Sequence, residues 1–176
     1  MTHEFKTIVE NYLLAKKQGL KSVLATVVHL EGSSYRKPGV RMLILENGKM
    51  IGAVSGGCVE KDILRQSDTV FKSGVSKMMT YDGRYRLGCE GVLYILIEPF
   101  LPDSKFLAHF QEVLKHRKPF FIKSHFTKQI GESDGIGSVI YFEKETHPIS
   151  KKLEENQSVS IFKDILKPCF KLMIFG

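Results

Sequence analysis

The sequence is poor in cysteine and has no long apolar run. Its 176 residues include three cysteines, Cys58, Cys89 and Cys169, and these form no C-x-x-C pair. A small, odd number of cysteines argues against a disulfide framework and fits a reducing compartment. The longest apolar run, residues 92–97, is far shorter than the roughly 20 residues that cross a bilayer. Because the N-terminal residues also lack the apolar core of an export signal, we expect a cytoplasmic protein without a membrane partner.

Recognisable patterns for zinc and for nucleic acids are missing as well. The six histidines are scattered, and none has the H-E-x-x-H or finger spacing, which disfavours a dedicated zinc site. The formal net charge is +7, with its densest basic patch at residues 115–123. No helix-turn-helix or finger signature accompanies this charge, so we expect a solvated basic face rather than a nucleic-acid site. The charge favours anionic small ligands or an acidic protein partner.

Apolar periodicity predicts an α/β fold, a mixed-sheet domain with flanking helices over residues 1–145. A continuous apolar run rich in β-branched residues, as at 22–30, is typical of a strand buried on both faces. The "ENGK" turn at 46–49 predicts a hairpin between two further strands. The predicted helices cover about 3–18, 58–72 and 103–116, and the remaining predicted strands cover 77–82, 92–98, 119–126 and 137–143.

The last part of the chain has a different pattern. Residues 144–158 are polar and rich in lysine and glutamate, so residues 146–170 are interpreted as a linker or surface excursion. The segment 171–176, "KLMIFG", is a short apolar strand that ends on glycine, which is how a dinucleotide-type βα turn begins. We therefore expect the start of a truncated Rossmann-type domain, which would hold any NAD(P). A naturally short chain is the alternative.

Three glycine-marked loops carry the residues with chemical potential. They are "EGSSYRKPGVRM" at 31–42, "SGGCVEKD" at 55–62 and "LGCEG" at 87–91. Each follows or precedes a predicted strand, so all three are expected at one edge of a sheet, where ligands of α/β proteins usually bind.

The second loop combines a flexible backbone with a thiol. Gly56 and Gly57 allow a ligand to approach the backbone closely. A helix that starts at Cys58 presents unpaired N–H groups, which bind anions, and this position also favours the thiolate. A tight turn with an inert, small cysteine is an equally good interpretation of these residues alone.

The other two loops are less specific. Arg36 and Arg41 present planar forks suited to phosphate or carboxylate oxygens, although solvated arginines in a hairpin explain them as well. The third loop offers a thiol at Cys89 but no base at a readable spacing. We interpret His29 as a satisfied core residue and Cys169 as structural.

About residues 20–100 resemble the N-terminal region of the XdhC/CoxI family. The resemblance rests on four motifs in this order and spacing: "GSSYRKPGVRM", "GAVSGGCVE", "GCEG" and a following "EP". The resemblance implies a molybdenum cofactor chaperone for xanthine dehydrogenase and related molybdenum hydroxylases, not an enzyme. Such a protein binds molybdopterin, allows its sulfuration by a cysteine desulfurase and delivers it to the apo-oxidoreductase. A homo-oligomer is expected.

The resemblance also implies which residues contact the cofactor, with the thiols of Cys58 and Cys89 as metal ligands or sulfur carriers. One departure is that Glu90 stands where the family has glycine. A carboxylate there would repel an anionic cofactor. The implied cofactor-binding residues are Ser33, Arg36, Gly39, Arg41, Ser55, Gly56, Gly57, Cys58, Glu60, Gly88, Cys89 and Gly91.

Two hypotheses of other classes remain open. The first is a nucleotide-dependent redox enzyme with Cys58 near the reaction centre, and it would require a complete G-x-G-x-x-G in a following domain. The second is a thiol-based hydrolase or transferase that uses Cys58, for which no base can be assigned.

Overall fold

The computed structural model describes residues 2–34, 37–55, 57–84, 90–143, 145–150, 153 and 159–170, and the side chains of Cys58 and Glu90 lie outside this description. The described residues form three helices and ten strands. The helices are α1 (Thr2–Lys17), α2 (Cys58–Ser73) and α3 (Ser104–Lys115). The strands are β1 (Ser22–Ser33), β2 (Arg41–Leu45), β3 (Met50–Gly52), β4 (Lys77–Asp82), β5 (Glu90–Pro99), β6 (Phe120–Phe126), β7 (Gly131–Glu132), β8 (Gly137–Phe142), β9 (Glu145–Pro148) and β10 (Ser160–Leu166).

The strands form two sheets. Sheet A has six strands in the order β3-β2-β1-β5-β4-β7, and sheet B has four in the order β10-β6-β8-β9. The α/β prediction with flanking helices is confirmed. A mixed sheet was expected, whereas every pairing among the described strands is antiparallel.

Helix α2 covers one face of sheet A. Alternate residues of the central strands, such as Val23 and Ala25 on β1, share a buried cluster with Val59 and Ile63 of α2. The opposite residues of β1 face the other way, because side chains alternate along a strand. This explains why residues 23–28 are buried without interruption, as the sequence predicted.

Sheet B packs against the other face of sheet A. Leu24 of β1 shares an apolar cluster with Ile122 of sheet B, with residues of α1 and with Phe106 of α3. A smaller cluster joins Leu96 of β5 to Phe126 of β6. Burial of these apolar side chains at about 25 cal/mol per Å² is the main stabilising contribution. None of the three described helices is long and apolar enough to cross a lipid bilayer.

The segment 146–170 is more than a connector. Strand β9 overlaps its beginning and pairs with β8, and β10 pairs with β6 along seven residues, from Ser160 to Leu166. Parts of the segment predicted to be a linker or surface excursion are therefore paired strands of sheet B. Residues 171–176, the predicted start of a Rossmann-type domain, lie outside the described residues, so the division into domains remains a prediction.

Candidate functional site

The three glycine-marked loops reach the same edge of sheet A. The first loop joins the end of β1 to the start of β2, the second follows the end of β3, and the third joins β4 to β5. Because these five strands are neighbours and antiparallel, their ends at residues 33, 41, 52, 82 and 90 point to one side of the sheet. The β1–β5 pair extends well past the start of β2, since Arg41 pairs with Thr26 while Ser33 pairs with Glu90. We call this side the loop edge. The strand ends that flank the three loops point to one side of sheet A, as expected, and the convergence of the loops themselves remains a prediction.

The first and third loops meet through strand pairing. Ser33 lies opposite Glu90, and Gly32 lies opposite Gly91. A Cβ at Gly91 would lie 2.6 Å from the carbonyl oxygen of Ser33 and 2.7 Å from that of Glu31. Only glycine allows the backbones of β1 and β5 to approach this closely. Gly91 therefore holds the two loops together.

Arg41 is turned into the protein. Its Nη1 donates hydrogen bonds to Asp164 Oδ2 at 2.6 Å and to the carbonyl oxygen of Gly39 at 2.9 Å. Its Nε and Nη2 are buried and have no hydrogen-bond partner among the described residues. Gly39 has φ +101°, and a Cβ there would lie 3.2 Å from Asp164 Oδ2. Gly39 and Arg41 thus anchor the first loop to β10, and direct contact of either with a cofactor remains a prediction.

The second loop ends at the exposed N-terminus of α2. Gly57 is the N-cap, with φ 117° and ψ −24°, and α2 begins at Cys58, as the sequence predicted. A Cβ at Gly57 would meet nothing within 4 Å among the described residues, so there is free space directly beside Gly57. The first N–H groups of a helix carry partial positive charge and suit an anionic group.

Glu60 stabilises the second loop through hydrogen bonds to its side chain. Its carboxylate accepts hydrogen bonds from the N–H groups of Val54, Ser55 and Gly57 at 3.0, 2.5 and 2.8 Å, and from the Ser55 hydroxyl at 2.8 Å. Burial raises the pKa of Glu60, but the hydrogen bonds from Ser55 and Gly57 outweigh it, and the pKa lies below its ordinary value. The demonstrated role of Glu60 is to shape the loop, and contact with a cofactor remains a prediction.

Several predicted site residues lie outside the described residues: Arg36, Gly56, Gly88 and Cys89. The side chains of Cys58 and Glu90 do so as well. The proposed metal-binding role of Cys58 and Cys89, and the repulsion expected from Glu90, therefore remain predictions.

A charged and aromatic group beside the loop edge was missed from the sequence. Lys128 donates a hydrogen bond to Glu31 of β1, which lowers the pKa of that carboxyl. The ring of His29 stacks on Phe126 with centroids 6.1 Å apart and lies 5.4 Å from the ring of Tyr94. The side chain of His29 is 37% exposed, so the core interpretation of this histidine is wrong. Lys128 is 97 residues from Glu31, and no local signal predicts such a pair.

A cleft of about 330 Å³ opens next to the loop edge. It lies between the start of α1 and the adjoining ends of β2 and β3, and His3, Val40, Gly52 and Ala53 are among its lining residues. Its volume is at the lower end of the range for small-molecule pockets, about 300–1,000 Å³.

The sequence model of the XdhC and CoxI family matches residues 15–82, which contain the first two loops. The resemblance to this family is confirmed. The chain is 34% identical over 101 residues, 53% of its length, to a probable xanthine dehydrogenase subunit of Bacillus subtilis (strain 168). It is also 25% identical over 181 residues, 100% of its length, to "Molybdenum cofactor insertion chaperone PaoD" of Escherichia coli (strain K12).

A solved structure has the same fold. A xanthine dehydrogenase from Bacillus halodurans matches with a TM-score of 0.64 and 24% identity over 92% of this chain and 53% of that chain. The chain spans 30% and 52% of the lengths of the Bacillus subtilis and Escherichia coli relatives. About half of the longer proteins, or less, is therefore represented here.

Proposed function

We propose that the protein is a molybdenum cofactor chaperone that carries the cofactor as cargo and does not catalyse a reaction. The observation that supports this best is that three glycine-marked loops reach one sheet edge in a chain similar to a protein named a molybdenum cofactor insertion chaperone. The name of the Escherichia coli relative supports the molybdenum cofactor as the cargo, and the shared position of the three loops supports the loop edge as its binding site.

The described groups at the loop edge fit the chemistry of this cargo. Molybdopterin carries a phosphate, and the N-terminus of α2 beside the exposed Gly57 has the partial positive charge that suits an anion, although the N–H groups of Gly57 and Val59 already donate to Glu60 and Ser55. The carboxylate of Glu60 stays ionised, and the partial positive charges of the four donors from its own loop offset part of its repulsion of an anion. Thiols at Cys58 and Cys89 would be soft ligands for the metal or carriers of sulfur.

The full proposal includes the steps that surround binding. The protein protects the cofactor, supports its sulfuration by a cysteine desulfurase and delivers it to a xanthine dehydrogenase-type molybdenum hydroxylase, acting as a cytoplasmic homo-oligomer. No contact among the described residues favours the redox-enzyme or thiol-transferase hypotheses. An NAD(P) site would belong to a domain that begins at residues 171–176, outside the described residues.

Cofactor co-purification tests the proposal. The protein is expressed in cells that make molybdopterin, and bound cofactor is measured as its fluorescent oxidation product. We expect Cys58→Ala and Arg36→Ala to retain at least about tenfold less cofactor than wild type, as expected when a ligand or a charged hydrogen bond is lost.

Matched controls separate the loop edge from general effects. Cys169→Ala removes an exposed thiol elsewhere. Lys49→Ala removes an exposed positive charge from the β2–β3 turn, at the opposite side of sheet A. Both should retain cofactor as wild type does. Equal retention in all four variants would contradict the site, and no retention by wild type would contradict the function.

A further inference from the structure

Two histidines and a glutamate come together far from the loop edge. His109 lies on α3, and Glu145 and His147 lie on β9. One potential ligand atom from each lies within 4.8 Å of the other two. His109 Nδ1 is 2.8 Å from His147 Nε2. No sequence pattern revealed this group, because His109 is distant along the chain from Glu145 and His147 and the three residues have no finger or H-E-x-x-H spacing.

The fold presents His147 in a fixed orientation. Its buried ring meets Phe106 edge-on, with centroids 5.9 Å apart, and packs 5.6 Å from Phe142. Its Nδ1 faces Asp103 Oδ1 at 3.8 Å, and the same oxygen accepts a hydrogen bond from the N–H of Phe106 at the start of α3. A carboxylate behind an imidazole typically fixes the ring and tautomer of a metal-binding histidine. Here the 3.8 Å separation is too long for a hydrogen bond, but the negative charge of Asp103 favours the proton on Nδ1, which leaves the lone pair of Nε2 facing His109.

The strand and the helix supply the other two ligands. Glu145 and His147 are two residues apart on β9 and therefore project on the same side of the strand. His109 and Glu145 also line a cleft of about 400 Å³, so an ion can reach them from solvent.

We propose that His109, Glu145 and His147 bind a divalent transition-metal ion of the zinc class, which fastens α3 to the edge strand β9. Two imidazole nitrogens and one carboxylate suit Zn²⁺ better than Mg²⁺ or Ca²⁺, which prefer all-oxygen sites. Three protein ligands leave a fourth tetrahedral position for water. On binding, the His109 proton moves from Nδ1 to Nε2, so both facing nitrogens offer lone pairs and no net proton is released.

Cobalt titration tests this site. The parent protein carries Cys58→Ser, Cys89→Ser and Cys169→Ser, so that thiols do not compete for the ion. We expect one Co²⁺ per chain with the absorption of a tetrahedral nitrogen–oxygen site, displaced by Zn²⁺. His109→Gln and Glu145→Gln replace accessible ligands and should each weaken Co²⁺ binding at least about tenfold.

His116→Gln is the matched control, since His116 lies just beyond the same helix, is exposed and pairs with Glu112 outside the proposed ligand group. It should bind Co²⁺ as the parent does. Zn²⁺ should also raise the thermal midpoint of the parent but not that of His109→Gln. Absence of binding by the parent, or equal binding by His109→Gln and Glu145→Gln, would overturn the proposal and leave a simple hydrogen bond between two histidines.

Discussion

The carboxylate of Glu60 is the group that fixes the shape of the loop before α2. It accepts three backbone N–H groups and one hydroxyl from residues 54–57. Glutamine has the same size but only one acceptor oxygen, so its NH₂ group would face N–H donors. The conformation of the loop that places Gly57 at the loop edge therefore depends on the negative charge of Glu60.

Replacement of Glu60 by Gln should lower the free energy of unfolding by about 2 kcal/mol at pH 7, since hydrogen bonds to a charged group contribute about 1.5–3 kcal/mol. The pKa of Glu60 is lowered in the folded protein. Its stabilisation is therefore present above the ordinary value of 4.5 and is lost as pH falls through the lower folded pKa. Urea unfolding of wild type and variant at several pH values measures both effects.

The control for this change is Glu10→Gln, which removes an exposed carboxylate whose ion-pair partner is Lys6, one helical turn away. Its effect should stay within about 0.5 kcal/mol. If the two variants unfolded at the same urea concentration, Glu60 would not hold its loop.

Single residues also show what the sequence could reveal about the site. Glycines beside a helix start correctly predicted the N-terminus of α2 at Cys58, because the signal is local. The inward direction of Arg41 depends on Asp164, 123 residues later, and no local pattern contains that contact. The guanidinium group of Arg41 was therefore expected to face a ligand, whereas it contacts Asp164 of β10.

Strand β10 has a polar link to β2 as well as its backbone pairing with β6. The side chain of Arg41 is 4% exposed and that of Asp164 is 24% exposed, so little water shields the pair. Loss of one partner of a buried pair leaves an uncompensated charge, which costs about 3–5 kcal/mol. The link therefore decides how firmly the first loop is attached to sheet B.

Asp164→Asn should lower the free energy of unfolding by about 3 kcal/mol in urea titrations, because it removes the carboxylate that is hydrogen-bonded to the buried Arg41 guanidinium. Glu143→Gln, which breaks the exposed ion pair with Lys118, should cost no more than about 1 kcal/mol. The double variant Arg41→Met, Asp164→Leu should be more stable than Asp164→Asn. If Asp164→Asn and Glu143→Gln lowered the free energy of unfolding equally, the buried ion pair would contribute no more to stability than the exposed one.

The elements differ in how well the sequence revealed them. Helices with a clear apolar stripe, and strands buried on both faces, were predicted to within a few residues, as for β1 and α3. Strands β7, β9 and β10 were missed because they are short or mostly exposed, and β10 alternates between exposed and half-buried positions. Their pairing is decided by distant partners, which local periodicity does not report.

Part of the core of the molecule lies between two sheets that pack face to face, and one carboxyl group is buried between them. Glu98 of β5 is fully buried, and its Oε2 accepts a hydrogen bond from the N–H of Ser138 on β8 at 2.8 Å. Its Oε1 is buried and has no partner among the described residues. Burial raises the pKa of Glu98 to about 7, although the Ser138 hydrogen bonds and the charge of Arg41 oppose this.

This buried carboxyl should make the stability of the whole fold depend on pH near neutrality. Since the pKa of Glu98 is higher in the folded protein than the ordinary value of 4.5, the folded state binds the proton more tightly. The contribution of Glu98 to the free energy of unfolding should therefore fall as pH rises from 4.5 to 7, by up to about 3 kcal/mol at 1.36 kcal/mol per pKa unit, and then level off. Glu98→Gln mimics the protonated acid, so its advantage over wild type should grow across this window in urea unfolding. Glu46→Gln, an exposed change, should show a constant difference from wild type. A constant difference for Glu98→Gln would mean that Glu98 stays ionised between the sheets.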